Sequence, residues 1–554
     1  MVAGMDRSTA PWWTRATAYQ IYPRSFADSD GDGVGDIPGI VSRLDYLERL
    51  GVGFVWLSPV YASPMCDNGY DIADYRAIAS EFGTMEDMDH LIAEAGARGI
   101  GIVMDLVVNH TSDQHDWFRS ATGGPDAPYR DYYVWRHPAP DGGPPNDLQS
   151  SFGGQAWSLD PGGSGQYYLH LFDSGQPDLN WHNPKMRADI HAMMNWWLDR
   201  GIAGFRMDVI DLIGKEVDAG ITANGPHLHA HIREMMAATS RGRDIVTVGE
   251  AWSATPENAL LYCGRDRDAL SMVFQFAHVT RFWDAEHGKW EPHPIDLVGL
   301  KAVIDRWQAA LADDGWNSLF WSNHDLPRAV STYGDPGEWR VRSATMLATV
   351  LHLMKGTPYI YQGEELGMTN AGFDDIGDYR DVETLNNHRL MRAAGLSEAE
   401  FLAGARISSR DNARTPMQWT DGPQAGFTTG TPWIAVNPNH DTINAAAQED
   451  DPDSVLAHYR HLVRLRREHD IVVFGSYTPI APDHPKVFAY RRDLGDRALV
   501  VVANWTAEEV TFDMPGGMQA EGRCLVSNVA PRARVGGTMT LAPYEAFALL
   551  HQPD

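Results

Sequence analysis

The chain is short of cysteine, of positive charge and of long apolar runs, and each shortage removes a class of protein. Its three cysteines, Cys66, Cys263 and Cys524, are spread over 554 residues. They make neither a disulfide framework nor the paired spacing of a zinc site. Lysine and arginine number 45 against 74 aspartates and glutamates, a formal net charge of -29. Such a field repels DNA, RNA and anionic lipid, because nucleic-acid affinity rests on neutralising phosphates. It tolerates a neutral substrate such as a sugar, and otherwise aids solubility. The most apolar helix-like run, around 346–354, is too short and interrupted to cross a bilayer. Residues 1–13 lack the basic and then apolar order of a secretion signal. The expectation is a cytoplasmic protein without nucleic-acid or membrane partners, monomeric or weakly homo-oligomeric.

Aromatic residues, by contrast, are plentiful. The 19 tryptophans and 20 tyrosines can cover the flat C–H faces of sugars as well as fill a core. Apolar residues at 43% and charged residues at 21% are ordinary for a folded protein. Short β-type runs recur at 17–22, 53–57, 101–107, 204–207, 244–248, 270–276, 318–321 and 358–361, with amphipathic helical patterns between them. One helix, capped by Thr84, carries Met88, Leu91, Ile92 and Ala95 on one face and stops at Gly99. Another spans about 184–200.

Eight strands alternating with helices predict an α/β fold, a (β/α)8 TIM barrel. The spacing alone also permits a large doubly wound sheet. Residues 109–181, rich in glycine, proline and aromatics, are too long for a βα loop and read as a subdomain inserted after the third strand. A second excursion, 368–437, follows the eighth. From Ile471 onward the pattern is β only, with strands at 487–490, 499–504 and 544–550. The expected organisation is a barrel over 1–108 and 182–470, the insertion over 109–181, and a C-terminal β-sandwich over 471–554.

Three expected strands run into an acid: Gly204-Phe205-Arg206-Met207-Asp208, Val248-Gly249-Glu250 and, at the seventh, Ser322-Asn323-His324-Asp325. Barrel chemistry sits at the C-terminal strand ends, and a charge there is costly unless paired. Arg206 lies two residues before Asp208, on the same side of the strand, so it can hold that carboxylate ionised. Two carboxyls about 5–5.5 Å apart make a retaining glycosidase, and about 6.5–9.5 Å an inverting one; sequence leaves the gap open. Any one acid can equally cap a helix or pair with an arginine. Three together, with histidine and arginine companions, point to catalysis.

These segments resemble the signature regions of the α-amylase family of glycoside hydrolases, from Tyr19-Gln20-Ile21-Tyr22-Pro23 to the C-terminal β domain. Asp105-Leu106-Val107-Val108-Asn109-His110 resembles the region at the third strand. The resemblance implies Asp208 as nucleophile, Glu250 as acid/base and Asp325 as the residue that steadies the distorting sugar. It implies His110 and His324 as donors to hydroxyls of the reacting ring, in a two-step retaining route. Gln176-Pro177-Asp178-Leu179-Asn180, Gly363-Glu364-Glu365-Leu366-Gly367 and the stretch from Ser409 to Trp419 are similar to the oligo-1,6-glucosidase and dextran glucosidase branch.

In that branch an Asp–Arg pair, here Asp67 and Arg410, closes the pocket behind the terminal glucose, with Tyr70 beside it. Action would then be exo. Val209, directly after the nucleophile, accompanies α-1,6 rather than α-1,4 linkage. Trp252, Lys289 and Glu383 match contacts to the leaving sugar. The reading is a retaining exo-α-glucosidase that releases glucose from α-1,6-linked oligosaccharides. The alternatives are an α-1,4-glucosidase, a trehalose-6-phosphate hydrolase and a sucrose isomerase. A catalytically dead barrel, as in the family's transporter-partner subunits, does not fit a chain that keeps all three acids.

The run from Asp28 to Asp36, DSDGDGVGD, begins like a calcium loop, with oxygen ligands at alternate positions and glycines for tight turning. Gly39 stands where an EF-hand has its glutamate. The loop instead resembles the family branch's small calcium site after the first strand. That implies Asp28, Asp30, Asp32 and Asp36 as side-chain ligands and Val34 through its carbonyl. The ion would be structural Ca2+, with Mg2+ as the alternative.

Overall fold

A computed structural model of the protein describes residues 9–517 and 519–551. Eight parallel strands form the centre: β1 (Ala18–Ile21), β2 (Phe54–Leu57), β3 (Gly101–Val107), β4 (Gly204–Asp208), β5 (Val246–Glu250), β6 (Met272–Phe274), β7 (Ser318–Leu319) and β8 (Thr357–Tyr361). Each pairs with its sequence neighbour from β1 to β6, and β8 lies between β1 and β7. A parallel bridge from Val273 to Asn317 and a 2.7 Å hydrogen bond from Ser318 Oγ to the Val273 carbonyl close the ring. Closure rules out the doubly wound sheet and establishes the TIM barrel.

Strand alternation separates the two jobs of β4. Phe205 and Met207 pack outward in the main apolar core, so Arg206 and Asp208 point inward. Below them Phe54, Trp56, Val103, Val248, Met272 and Phe274 plug the barrel. Gly204 sits at φ 149°, where a Cβ would lie 1.7 Å from the Val246 carbonyl oxygen. Only glycine lets β4 start this close to β5. The Thr84 cap is present as a full capping box with Asp87, opening the helix Met85–Ala97, which buries Met88, Leu91 and Ala95 and leaves Ile92 half-buried.

Two strand ends differ from expectation. β5 runs on to Glu250, and β7 stops at Leu319, so Asp325 stands in the loop beyond rather than at a strand end. That loop is shaped locally: Asn323 Oδ1 accepts the Asp325 N–H at 2.8 Å, and Ser322 Oγ donates to Glu364 at 2.9 Å.

Between β3 and β4 the chain builds a three-stranded antiparallel sheet, Trp135–Arg136, Tyr167–Leu169 and Trp157–Leu159, with its own small apolar cluster. Bridges from His110 to Asp178 and from Tyr133 to Leu179 tie its two ends together. The C-terminal part is all β from Ser476, a five-stranded antiparallel sheet with two further strand pairs. The β-only reading from Ile471 was wrong for its first residues: Asp470–Phe474 is a helix. Its Ile471, Val472 and Val473 are all buried, and Arg492 grips its Val472 carbonyl at 3.0 Å. Among the described residues no helix is long and apolar enough to cross a membrane.

Candidate active site

At the C-terminal mouth of the barrel lies a cavity of about 440 Å³. Asp67, Tyr70, His110, Asp208, Val209, Glu250, Trp252, Lys289, Asp325, Glu383 and Arg410 all line it. Arg206 and His324 do not. Arg206 is 1% exposed and lies beneath the floor. His324 is fully covered, stacked on Tyr70 with ring centroids 5.1 Å apart and planes at 9°.

Arg206 organises the floor. One of its terminal nitrogens donates to Asp105 Oδ1 at 2.7 Å and to Asp208 Oδ1 at 2.8 Å. The other lies 2.7 Å from Glu250 Oε2. One guanidinium thus holds acids from β3, β4 and β5 together. Three buried acids around one cation cannot all be charged cheaply. Burial pushes Asp105 up to about 6 against Arg206 and the hydrogen bonds of Tyr70 and Trp56. Burial likewise raises Asp208; Arg206 pulls it down, and Glu250 and Asp105 push it back up, leaving it well above the usual range. The acids around Arg206 are therefore coupled, and each one's charge raises the cost of charging the next.

Two arginines hold the opposite wall. Arg410 donates to Asp381 Oδ1 at 2.9 and 2.5 Å, to Asp325 Oδ1 at 3.0 Å and to Asp67 Oδ1 at 3.2 Å. Arg414 donates to Asp325 Oδ1 at 3.0 Å and to the His324 carbonyl at 2.9 Å. Burial opposes charge on Asp325, but His324 and the two guanidiniums outweigh it, holding the carboxyl far below its usual range. Because burial lowers His324 itself to about 3, that ring is neutral and acts as a dipole; the arginines carry the effect. Asp381 is likewise held down against its burial by Arg410 and Arg414. Asp67 is not. Arg410 is committed more closely to Asp381 and Asp325, and burial lifts Asp67 to about 7. His110, with Nε2 3.0 Å from the Tyr70 carbonyl, is brought by burial to about 4 and is also neutral.

Val209 has φ 34° and ψ 45°, left-handed backbone that a β-branched residue seldom adopts. The turn aims its N–H at Glu250 Oε2, 2.9 Å away. The other oxygen, Oε1, faces Trp252 Nε1 at 3.1 Å. The Trp252 ring stacks on Phe276 at 3.8 Å and 9°, and Lys289 Nζ pairs with Glu383 at 2.5 Å. Sequence reasoning missed Asp381, Phe152, Phe172 and Trp283. Asp381 had one legible signal, since it caps the helix Val382–Ala393. The two phenylalanines arrive from the insertion and have none.

In the loop after β1, oxygens of Asp28, Asp30 and Asp32 lie within 4.8 Å of one another, a set of hard donors that suits Ca2+ or Mg2+. Asp36 does not join them. It caps the helix Ile37–Ser42 through Gly39 N at 2.6 Å and accepts from Ser29 N and Oγ at 2.8 and 2.9 Å. The Val34 N–H is turned to Asp32 Oδ1 at 2.7 Å.

Comparison with known proteins identifies the family. Residues 20–475 match the model of the alpha amylase catalytic domain, and 477–547 that of the maltogenic amylase C-terminal domain. The chain belongs to the α-amylase family of glycoside hydrolases. It is 58% identical to a palatinase from Erwinia rhapontici over 98% of this chain and 99% of that one. It is 51% identical to a glucan 1,6-alpha-glucosidase from Streptococcus pneumoniae, over 97% and 99% respectively. The crystal structure of a trehalose-6-phosphate hydrolase from Bacillus licheniformis superposes with a TM-score of 0.92 at 45% identity, covering 98% of this chain and all of that one. The enzyme is a glycoside hydrolase of the α-glucosidase kind.

The Asp67 shift has a measurable sign. Its carboxyl titrates near 3.9 when unfolded and about 7 when folded. Between these values the folded state holds a proton the unfolded chain has released, so stability falls as pH rises through the window and is flat above it. In Asp67→Asn this contribution is absent. Melting temperatures between pH 5 and 8 will therefore fall less steeply with rising pH in the variant than in the parent. Parallel curves would contradict the assignment.

Proposed function

We propose that the enzyme is a retaining exo-α-glucosidase that hydrolyses α-1,6-glucosidic bonds at non-reducing ends, releasing glucose. The observation that carries this reading is the single guanidinium shared by Asp208 and Glu250, which keeps the two carboxyls adjacent. Asp208 Oδ1 is held by Arg206; Oδ2 accepts no hydrogen bond among the described residues and is available to attack. Glu250 Oε2 is occupied by Arg206 and the Val209 N–H, so Oε1, which also accepts from Trp252 Nε1 at 3.1 Å, is the oxygen assigned to the leaving group.

In the first step Asp208 Oδ2 bonds to the anomeric carbon as the glycosidic C–O bond breaks, and Glu250 as general acid delivers a proton to the departing oxygen. In the second, Glu250 takes a proton from water, whose oxygen bonds to the same carbon and releases the Asp208 carboxylate. Asp325, kept ionised by Arg410 and Arg414, accepts from sugar hydroxyls, while neutral His110, its N–H turned to the Tyr70 carbonyl, lines the cavity beside the ring. The Asp67–Arg410 pair closes the pocket behind the terminal ring and makes the action exo.

Val209 and relatives named for 1,6-glucosidase activity support the linkage. The palatinase relative adds isomaltulose, a glucosyl-fructose, to the α-1,6 substrates worth testing. A phosphosugar is disfavoured: Asp67, Asp208, Asp211, Glu250, Asp325 and Glu383 line the cavity, and its two cations, Lys289 and Arg410, are both paired.

Initial rates on isomaltotriose, isomaltulose, maltotriose and trehalose 6-phosphate decide the substrate. The expected order puts the two α-1,6 substrates first, with glucose released. Glu250→Gln should lose about 10²–10⁴-fold in kcat, and Asp208→Asn at least as much. Val209→Ala should narrow the preference for α-1,6 over α-1,4 by about 1–3 kcal/mol. A preference for maltotriose or trehalose 6-phosphate, or rearranged disaccharide in place of glucose, would overturn the substrate assignment.

The loop of Asp28, Asp30 and Asp32 is proposed as a structural Ca2+ site. Added Ca2+ should raise the melting temperature of chelator-treated enzyme, but not that of Asp28→Asn/Asp32→Asn. An equal rise in both would remove the site from this loop.

A further inference from the structure

A second cluster of ligand-type side chains lies outside the catalytic cavity. His182 follows the insertion just before the helix Pro184–Asp199. Glu216 stands in the long loop after β4. His227 immediately precedes the helix Leu228–Thr239. His182 Nε2 is 3.3 Å and His227 Nε2 3.7 Å from the same oxygen, Glu216 Oε1. One ligand atom from each residue lies within 4.8 Å of the others. Among the described residues neither imidazole has another hydrogen-bond or ion-pair partner.

The next helical turn supplies a fourth imidazole. His231, at the i+4 position from His227, shares its face. Its ring centroid is 6.1 Å from that of His227 and 6.5 Å from that of His182. It is only 8% exposed, and its Nε2 is buried with no hydrogen-bond partner. An unsatisfied buried nitrogen is costly and calls for an explanation.

We propose that His182, Glu216 and His227 bind a divalent transition-metal ion, with Zn2+ as the representative and His231 completing the polar surroundings. Two imidazoles and a carboxylate are the donors such ions select, whereas Ca2+ and Mg2+ prefer oxygen alone. The net charge of -29 favours a cation at the surface. The bound ion would join three chain segments. One is the loop that carries Val209, Asp211 and Leu212 into the cavity wall. Next to Glu216, Lys215 already clamps that loop to the insertion, 2.9 Å from Asp178 and 2.7 Å from Asn109 Oδ1. The ion is a second clamp at the same seam, and its part is structural.

The test uses full-length, untagged enzyme, stripped of metal and returned to buffer with Ca2+. Titration calorimetry with Zn2+ and the visible spectrum of added Co2+ report binding without reference to turnover. About one equivalent of Zn2+ should bind, raise the melting temperature and, as Co2+, give an absorption band. All three signals should vanish in His182→Ala/His227→Ala and persist in His287→Ala, which disrupts the other histidine-containing cluster, Asp284, His287 and Glu291. The double variant should keep its hydrolytic activity, since neither residue lines the cavity, which shows that it is folded. Undiminished binding in the double variant, or no saturable binding in the parent, would overturn the proposal.

Discussion

The site depends on one buried cation among three buried acids. Arg206 is fixed by the alternation of β4, which sends Phe205 and Met207 into the outer core and leaves the guanidinium inside. The register of β3, β4 and β5 sets Asp105 opposite Arg206 and Val248 beside it, so the arginine reaches an acid on each strand. Desolvating these groups is tolerable only because each has a partner. The same pairing holds the carboxyls of Asp208 and Glu250 side by side on one guanidinium. Barrel register and site geometry are thereby one constraint.

A different balance operates across the cavity. There Arg410 and Arg414 meet Asp67, Asp325 and Asp381, and the closer contacts win. Asp325 and Asp381 stay charged, while Asp67, further from Arg410, is left with the cost of burial. The floor thus couples three acids through one guanidinium, and the wall holds Asp325 as a fixed carboxylate. Hydrogen bonds from the strained Val209 peptide and from Trp252 orient Glu250 between them.

Much of this was legible in the sequence because barrel strands leave a repeated local trace. Eight β runs between helical patterns, acids after three of them, and an arginine two residues before one of those acids are short-range signals. What escaped was long-range. Asp381 meets Arg410 only through the fold. Phe152 and Phe172 reach the cavity from an insertion whose path has no periodicity to read. Asp36 reads as one more ligand in an alternating acidic run, and the fold also uses its carboxylate to cap the helix that starts beside it. Ile471–Phe474 read as β because it is β-branched and apolar, but burial against the barrel and Arg492 hold it as a helix. His182, Glu216 and His227 have no common local motif and meet only in the folded chain.

The claim that Arg206 holds Asp208 and Glu250 at the separation for double displacement is tested most directly by the anomer of the first product. Proton NMR during the early turnover of an α-1,6 substrate distinguishes α- from β-glucose before they equilibrate. Two successive displacements predict α-glucose first. Initial appearance of β-glucose would mean a single displacement by water, and would contradict the pairing of Asp208 with Glu250 as nucleophile and acid.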